Sequence, residues 1–287
     1  RDGKAKSVIL LYLLGGAATQ DMFDLKPDAP VEVRSQFQPI ATTVPGIEIC
    51  EHLPQTAKWM HKAAIVRTVN HKAGCHNTLP SYTGYEVMLP DITGTKDSYP
   101  PSMGSVCEYL CTDEGGRSSV LPDYVYMPCH LGWGQNIRRP GPYGGFLGKR
   151  FDALTTACDP FKSQEAPDAV PGRPQTVLGM PQLADTRMPI EITLDRLQAR
   201  RGLLDQFDDE VRRIDRSLHL ATFDRQQQKA FEILTSSELK AAFAIDDEDP
   251  KTVDRYGRTL FGHSTLMARR LVERGVRFVN VTWDLFW

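Results

Sequence analysis

The chain has 287 residues, 41% hydrophobic and 24% charged, a composition that allows a sizeable buried core and is ordinary for a globular protein. Its 34 basic and 36 acidic residues leave a formal net charge of −2, so no global field favours nucleic acid or an anionic membrane. No apolar run reaches the ~18 residues that a membrane span requires, so neither nucleic acid nor a membrane span is expected.

Val8-Ile-Leu-Leu-Tyr-Leu-Leu14 is apolar without alternation, which predicts a strand buried on both faces, as in a helix-covered parallel sheet. Gly15-Gly16 ends it, and a polar loop, Ala17–Asp24, follows at its carboxyl end, where open α/β sheets bind ligands. Four prolines between Lys26 and Gly46 mark an irregular excursion. A helix is expected near Leu53–Lys62, with Pro54 in its first turn. Ala64–Val69 reads as a second buried strand, ending at Asn70-His71 and followed by the polar loop Lys72–Thr78.

Residues from about Tyr99 to Cys111 read as a helix with its start near Ser102, and Tyr124–Met127 as a short strand. The run Gly141–Gly148 is glycine-rich, but no Gly-Lys-Ser/Thr follows, so it is not a phosphate-binding P-loop; close backbone packing or a loop over a pocket are the readings. The proline-rich stretch from Cys158 to Met188 reads as a surface excursion. From about 193 to 274 the chain is helical in character, with an apolar stripe that includes Leu194, Leu197, Leu204, Phe207 and Val211. Its last helix, Arg258–Arg274, carries Arg269, Arg270 and Arg274 near its end and stops at Gly275. Val276–Thr282 is then a strand. The basic pairs Arg138-Arg139, Arg200-Arg201 and Arg269-Arg270 read as solvated faces or helix ends.

The six cysteines permit disulfides in an oxidising compartment, although a core of this size needs none. Cys107 and Cys111 lie one helical turn apart, but no second pair is nearby to complete a structural zinc site, so buried apolar thiols are the expectation.

An ordered set of short motifs then resembles a known family. Gly15-Gly16 with Asp21-x-Phe23-Asp24-x-Lys26-Pro27, Pro45-Gly46-Ile47, Glu51-His52-Leu53-Pro54 and His71-(x4)-His76 stand in its order. Tyr82-Thr83-Gly84, Pro101–Ser105, Asp159-Pro160-Phe161, Arg255-Tyr256-Gly257 and Ala268–Phe278 continue it. The set is similar to the family catalogued as domain of unknown function 1501, exported bacterial proteins grouped with the alkaline phosphatases and sulfatases. The resemblance implies an α/β fold, a mostly parallel sheet between helices, with metal ligands and a nucleophile at the strands' carboxyl ends. It also implies a metal-dependent hydrolase of phosphate or sulfate esters, with a non-catalytic exported binding or structural protein as the alternative. A divalent metal (zinc, manganese or calcium), a small-molecule or polysaccharide ester substrate and an exported, periplasmic location belong to the same implication.

On that basis Asp21 is the first metal ligand and Asp24 the second choice, with capping or loop-amide bonding as their ordinary alternatives. Gly15-Gly16 stands where many superfamily members place paired acids. Thr78 is the candidate nucleophile, with an N-cap hydroxyl as its alternative, and His76 is a candidate catalytic group. His71 and Asn77 are candidate substrate contacts. Cys75-His-Asn-Thr-Leu79 lacks the Pro or Ala and the Arg of a formylglycine site, which excludes that kind of sulfatase. The chain reads as a single, incomplete alkaline-phosphatase-like domain over 1–287, because Trp283-Asp284-Leu-Phe-Trp287 directly after a strand lacks the ligand motifs expected beyond it. Taken alone, it is expected to bind metal weakly and to lack hydrolase activity.

Overall fold

A computed structural model of the chain describes residues 5–15, 18–72, 78–86, 97–113, 121–133, 137–158, 177–183 and 236–284. Two compact units are present: Leu13–Lys72, and a larger one formed by Arg1–Tyr12 with Ala73–Trp287.

The larger unit is α/β. Strands β1 (Val8–Leu14), β4 (Tyr124–Met127), β5 (Leu154–Thr155) and β8 (Phe278–Asp284) form a parallel sheet in the order β1-β8-β4-β5. In the register between β4 and β8, Tyr124 lies opposite Phe278, Val125 opposite Val279, Tyr126 opposite Asn280 and Met127 opposite Val281. Side chains alternate across a pleated strand, so this pairing sorts the sheet into two unlike faces. Val125, Met127, Val279 and Val281 share one core with Leu266, Met267, Ala268 and Leu271 of helix α6 (Leu260–Glu273). Tyr124, Tyr126, Phe278, Asn280 and Thr282 occupy the other, also buried. A second, two-stranded pairing joins β6 (Ala157–Cys158) to β7 (Pro181–Gln182).

Three helices on the apolar side start as their sequences require. Ser236, Asp249 and Thr259 each accept a backbone N–H of the first turn of α4 (Ser237–Phe243), α5 (Pro250–Tyr256) and α6 respectively. Helix α6 ends at Gly275, φ 101°: Gly275 N–H bonds the Val272 carbonyl and Val276 N–H bonds that of Leu271. This is the Schellman pattern, with Val276 and Leu271 meeting in the core.

Helix α3 (Met103–Asp113) packs on the tyrosine face and is opened by Ser102, whose Oγ accepts Ser105 N–H at 3.2 Å. Its Glu108 is buried and accepts Tyr124 N–H at 2.8 Å. Gly104 lies against the Tyr124 ring, where an added Cβ would overlap it. The glycine-rich run 141–148 is held by close backbone packing. Gly145 has φ 51° beside the Tyr99 carbonyl, Tyr143 accepts Ser102 N–H at 3.0 Å, and Asp152 accepts Gly144 N–H at 2.6 Å.

The smaller unit holds the antiparallel pair β2 (Pro39–Ala41) and β3 (Glu48–Cys50), in which Ile40 lies opposite Ile49. Helix α1 (Pro54–Lys58) and the 3-10 turn Met60–Lys62 cover it, burying Ile49, Ala57 and Met60 together.

Three expectations require correction. Ala64–Val69 forms no strand: Val66 and Val69 are exposed, and the Arg67 guanidinium instead ties the segment to the Phe23 carbonyl at 2.9 and 3.1 Å. The apolar run was misleading because a strand needs a neighbour for its ladder, and here a side chain does the anchoring. Strand β1 is not buried on both faces. Ile9, Leu11 and Leu13 are exposed: among the described residues β1 is an edge strand, and no described helix covers that side. Finally, two basic pairs are not simply solvated. Arg139 is 2% exposed. Arg270 is buried as well, donating to the Ala241 and Ala242 carbonyls at the end of α4 (2.7 and 3.0 Å) and to Glu248 at 2.6 Å. It satisfies carbonyls that the helix end leaves without an intrahelical partner. Arg274 fits the helix-end reading, donating to the Arg270 carbonyl at 3.1 Å. Arg200-Arg201, Asp159-Pro160-Phe161 and the stripe from Leu194 to Val211 lie outside the described residues.

Candidate functional site

The carboxyl ends of the parallel strands collect the polar groups of the larger unit. Met127 is followed by a cis bond to Pro128 and then by Cys129 and His130, while β5 is followed by Thr156 and Cys158. Thr156 spans these two segments: its N–H bonds the Tyr126 carbonyl at 3.0 Å and its hydroxyl the Pro128 carbonyl at 2.7 Å. At the end of β8, Thr282 Oγ1 lies 2.7 Å from Tyr126 Oη and 3.2 Å from Tyr82 Oη, and accepts Asn280 Nδ2 at 2.8 Å. Tyr82 and Tyr126 also meet each other at 3.3 Å. Burial raises both phenols far above their ordinary range, so they remain neutral hydrogen-bonding groups.

Tyr82 belongs to helix α2 (Leu79–Thr83), which therefore brings Thr78 to this end of the sheet. Thr78 is 3% exposed and stands at the N-cap position, but its side chain caps no helix N–H; its hydroxyl donates to the Pro140 carbonyl instead. Its proton and its surface are thus both engaged. His76 and Asn77, with Cys75, lie outside the described residues.

The other candidates belong to the smaller unit. Asp21 ends a 3-10 turn, Thr19–Asp21, and its Oδ1 accepts the Ser35 hydroxyl at 2.8 Å. No cation pairs with it among the described residues. Asp24 pairs with Lys26 at 2.6 Å and lies 3.8 Å from Arg67, so its charge is already met. His71 is exposed. Ser35 also lines a cavity of about 380 Å³, together with Leu25, Pro27, Arg34, Gln36 and Gln38. Among the described residues no three His, Cys, Asp or Glu side chains converge as a metal-holding group.

The thiols divide by environment. Burial foremost pushes Cys107 up to about 11, with Cys111 adding to it, which makes Cys107 a poor source of thiolate. Cys129 goes the other way, held well below the ordinary thiol range by its hydrogen bond with Cys158 foremost and by His130, whose Nδ1 is 3.4 Å from Sγ. Sequence reading passed over Cys129, His130 and Cys158, although a Cys-His pair just past an expected strand end was a visible signal. Tyr126 and Thr282 were read only as strand residues.

A family model described as a protein of unknown function, DUF1501, matches residues 5–287. No curated protein and no solved structure matches the chain.

Proposed function

We propose, from the premise that this chain belongs to the DUF1501 family, that it is a hydrolase of phosphate or sulfate esters that works with a divalent metal. The observation that carries this reading is Asp21, a carboxylate with a fixed orientation and no cationic partner among the described residues, whose holder Ser35 lines a cavity that also contains Arg34. Arginine suits an anionic ester group, since its planar donors match phosphate and sulfate oxygens. The cavity is of the size small ligands use. A small molecule or a polysaccharide carrying such an ester is the substrate class, and action outside the cytoplasm, in the periplasm, is part of the same proposal.

The donors on hand fit a metal only in part. Asp21 serves as one ligand; Asp24 does not, because Lys26 and Arg67 neutralise it. The described residues do not complete a zinc, manganese or calcium site. Thr78 remains the proposed nucleophile and His76 a second proposed catalytic group; His71 and Asn77 are each proposed substrate contacts. To act, the Thr78 hydroxyl must leave the Pro140 carbonyl.

That engagement of Thr78 favours a second reading, a non-catalytic exported binding or structural protein on the same fold. Elemental analysis of the full protein beside Asp21→Ala separates the two. Zinc, manganese or calcium present in the first and lost in the second supports the hydrolase. Absence of metal from both proteins overturns the metal-dependent reading and leaves the binder.

A further inference from the structure

We infer that Cys129 and Cys158 form a redox-active dithiol, closing to a disulfide by exchange with a low-molecular-weight disulfide such as oxidised glutathione. Strand β4 sets Val125 opposite Leu154 and Tyr126 opposite Thr155 in parallel pairing. Just past that ladder Cys129 and Cys158 meet, hydrogen-bonded through their side chains and packed in one buried cluster.

The two segments are not free to drift, because Thr156 fastens them through the Tyr126 and Pro128 carbonyls. Neither cysteine is in a disulfide, and each is 5% exposed, in one cluster with Val177 and Leu260. The lowered Cys129 thiol supports the same picture, since the thiolate is the attacking species and His130 stabilises it. Cys107 differs, its thiol pushed up to about 11 by desolvation foremost.

The exchange runs in two steps. The Cys129 thiolate attacks one sulfur of the small disulfide, forming a mixed disulfide on Cys129 and releasing one small thiolate, which takes up the Cys129 proton. The Cys158 sulfur, losing its proton, then attacks Cys129 Sγ; the new S–S bond forms and the second small thiol leaves with that proton. Two protein thiols are oxidised, and one small disulfide is reduced to two thiols.

The test is to incubate the native protein with oxidised glutathione, quench with acid, alkylate in denaturant and map tryptic peptides without reduction. Cys129 and Cys158 fall on separate peptides, 118–138 and 151–162, and neither contains Cys107 or Cys111. The expected result is a fall in alkylated thiols from six to four and a linked 118–138/151–162 pair. Cys158→Ser is expected to stop at the mixed disulfide, with one glutathione on Cys129. Six alkylated thiols, or a lost pair at any other two cysteines, overturns the inference. The wild-type map decides the matter even if the variant does not fold.

Discussion

Gly104→Ala places two opposing effects on one methyl group. Gly104 sits in the first turn of α3, and alanine there gains up to about 1 kcal/mol in helix propensity. The new Cβ, however, would overlap the Tyr124 ring, reaching Cδ2 and Cζ at 2.5 Å. Tyr124 has nowhere to retreat. It is 0% exposed, its ring meets Phe278 edge-on at 5.5 Å, and its N–H is held by Glu108. Overpacking a tight core costs about 1–3 kcal/mol, and this geometry belongs at the upper end. The expected balance is a net loss of about 2 kcal/mol, read as a fall in Tm of about 4–8 °C in a thermal melt. In a Tyr124→Leu background the clash is gone, and the same substitution should become neutral or stabilising. A single Gly104→Ala variant with unchanged or raised Tm would refute the claim that α3 reaches the sheet through a missing side chain.

Two further outcomes are expected. Glu248 is held below the ordinary carboxylate range, by hydrogen bonding to Arg269 foremost and to Arg270. Its stabilisation is therefore complete above its ordinary value of 4.5 and is lost as pH falls from there through the lowered folded value. Glu248→Gln should flatten the pH dependence of Tm below that point, and an unchanged slope would remove Glu248 from the account. Thr282→Val deletes the hydroxyl that Tyr82, Tyr126 and Asn280 share. Because the two phenols can still bond each other, the cost should be about 2 kcal/mol in urea denaturation, and a neutral variant would show that the network contributes nothing.

What was legible in the sequence was what neighbouring residues decide among themselves. Helix α6, its stop at Gly275 and the strand after it were readable because amphipathic spacing, the glycine and the apolar run all agree locally. The same holds for Ser102 at the start of α3 and for Tyr124–Met127. Ala64–Val69 was misread because the missing ingredient, a strand to pair with, is not a property of the segment. Arg270 was misread because the carbonyls that draw it inward belong to another helix, formed about thirty residues earlier in the chain. The candidate site divides in the same way. The polar loop around Asp21 could be picked out, but not that Lys26 and Arg67 would occupy Asp24 while leaving Asp21 to Ser35. Cys129 and Cys158 come together only once the parallel register of β4 and β5 is known.

The place of β1 beside β8 sets a timetable for synthesis. Ser7 Oγ donates to the Val276 carbonyl and Val8 N–H to that of Arg277, contacts spanning almost the whole chain. During translation, the apolar segment Val8–Leu14 emerges before its neighbour in the sheet, which leaves the ribosome some 270 residues later. At elongation rates of about 5–20 residues per second, that is a wait of at least ten seconds or so with an unpaired hydrophobic strand exposed. Such a segment invites a holding chaperone, or pairing with the same segment of another nascent chain on the same message.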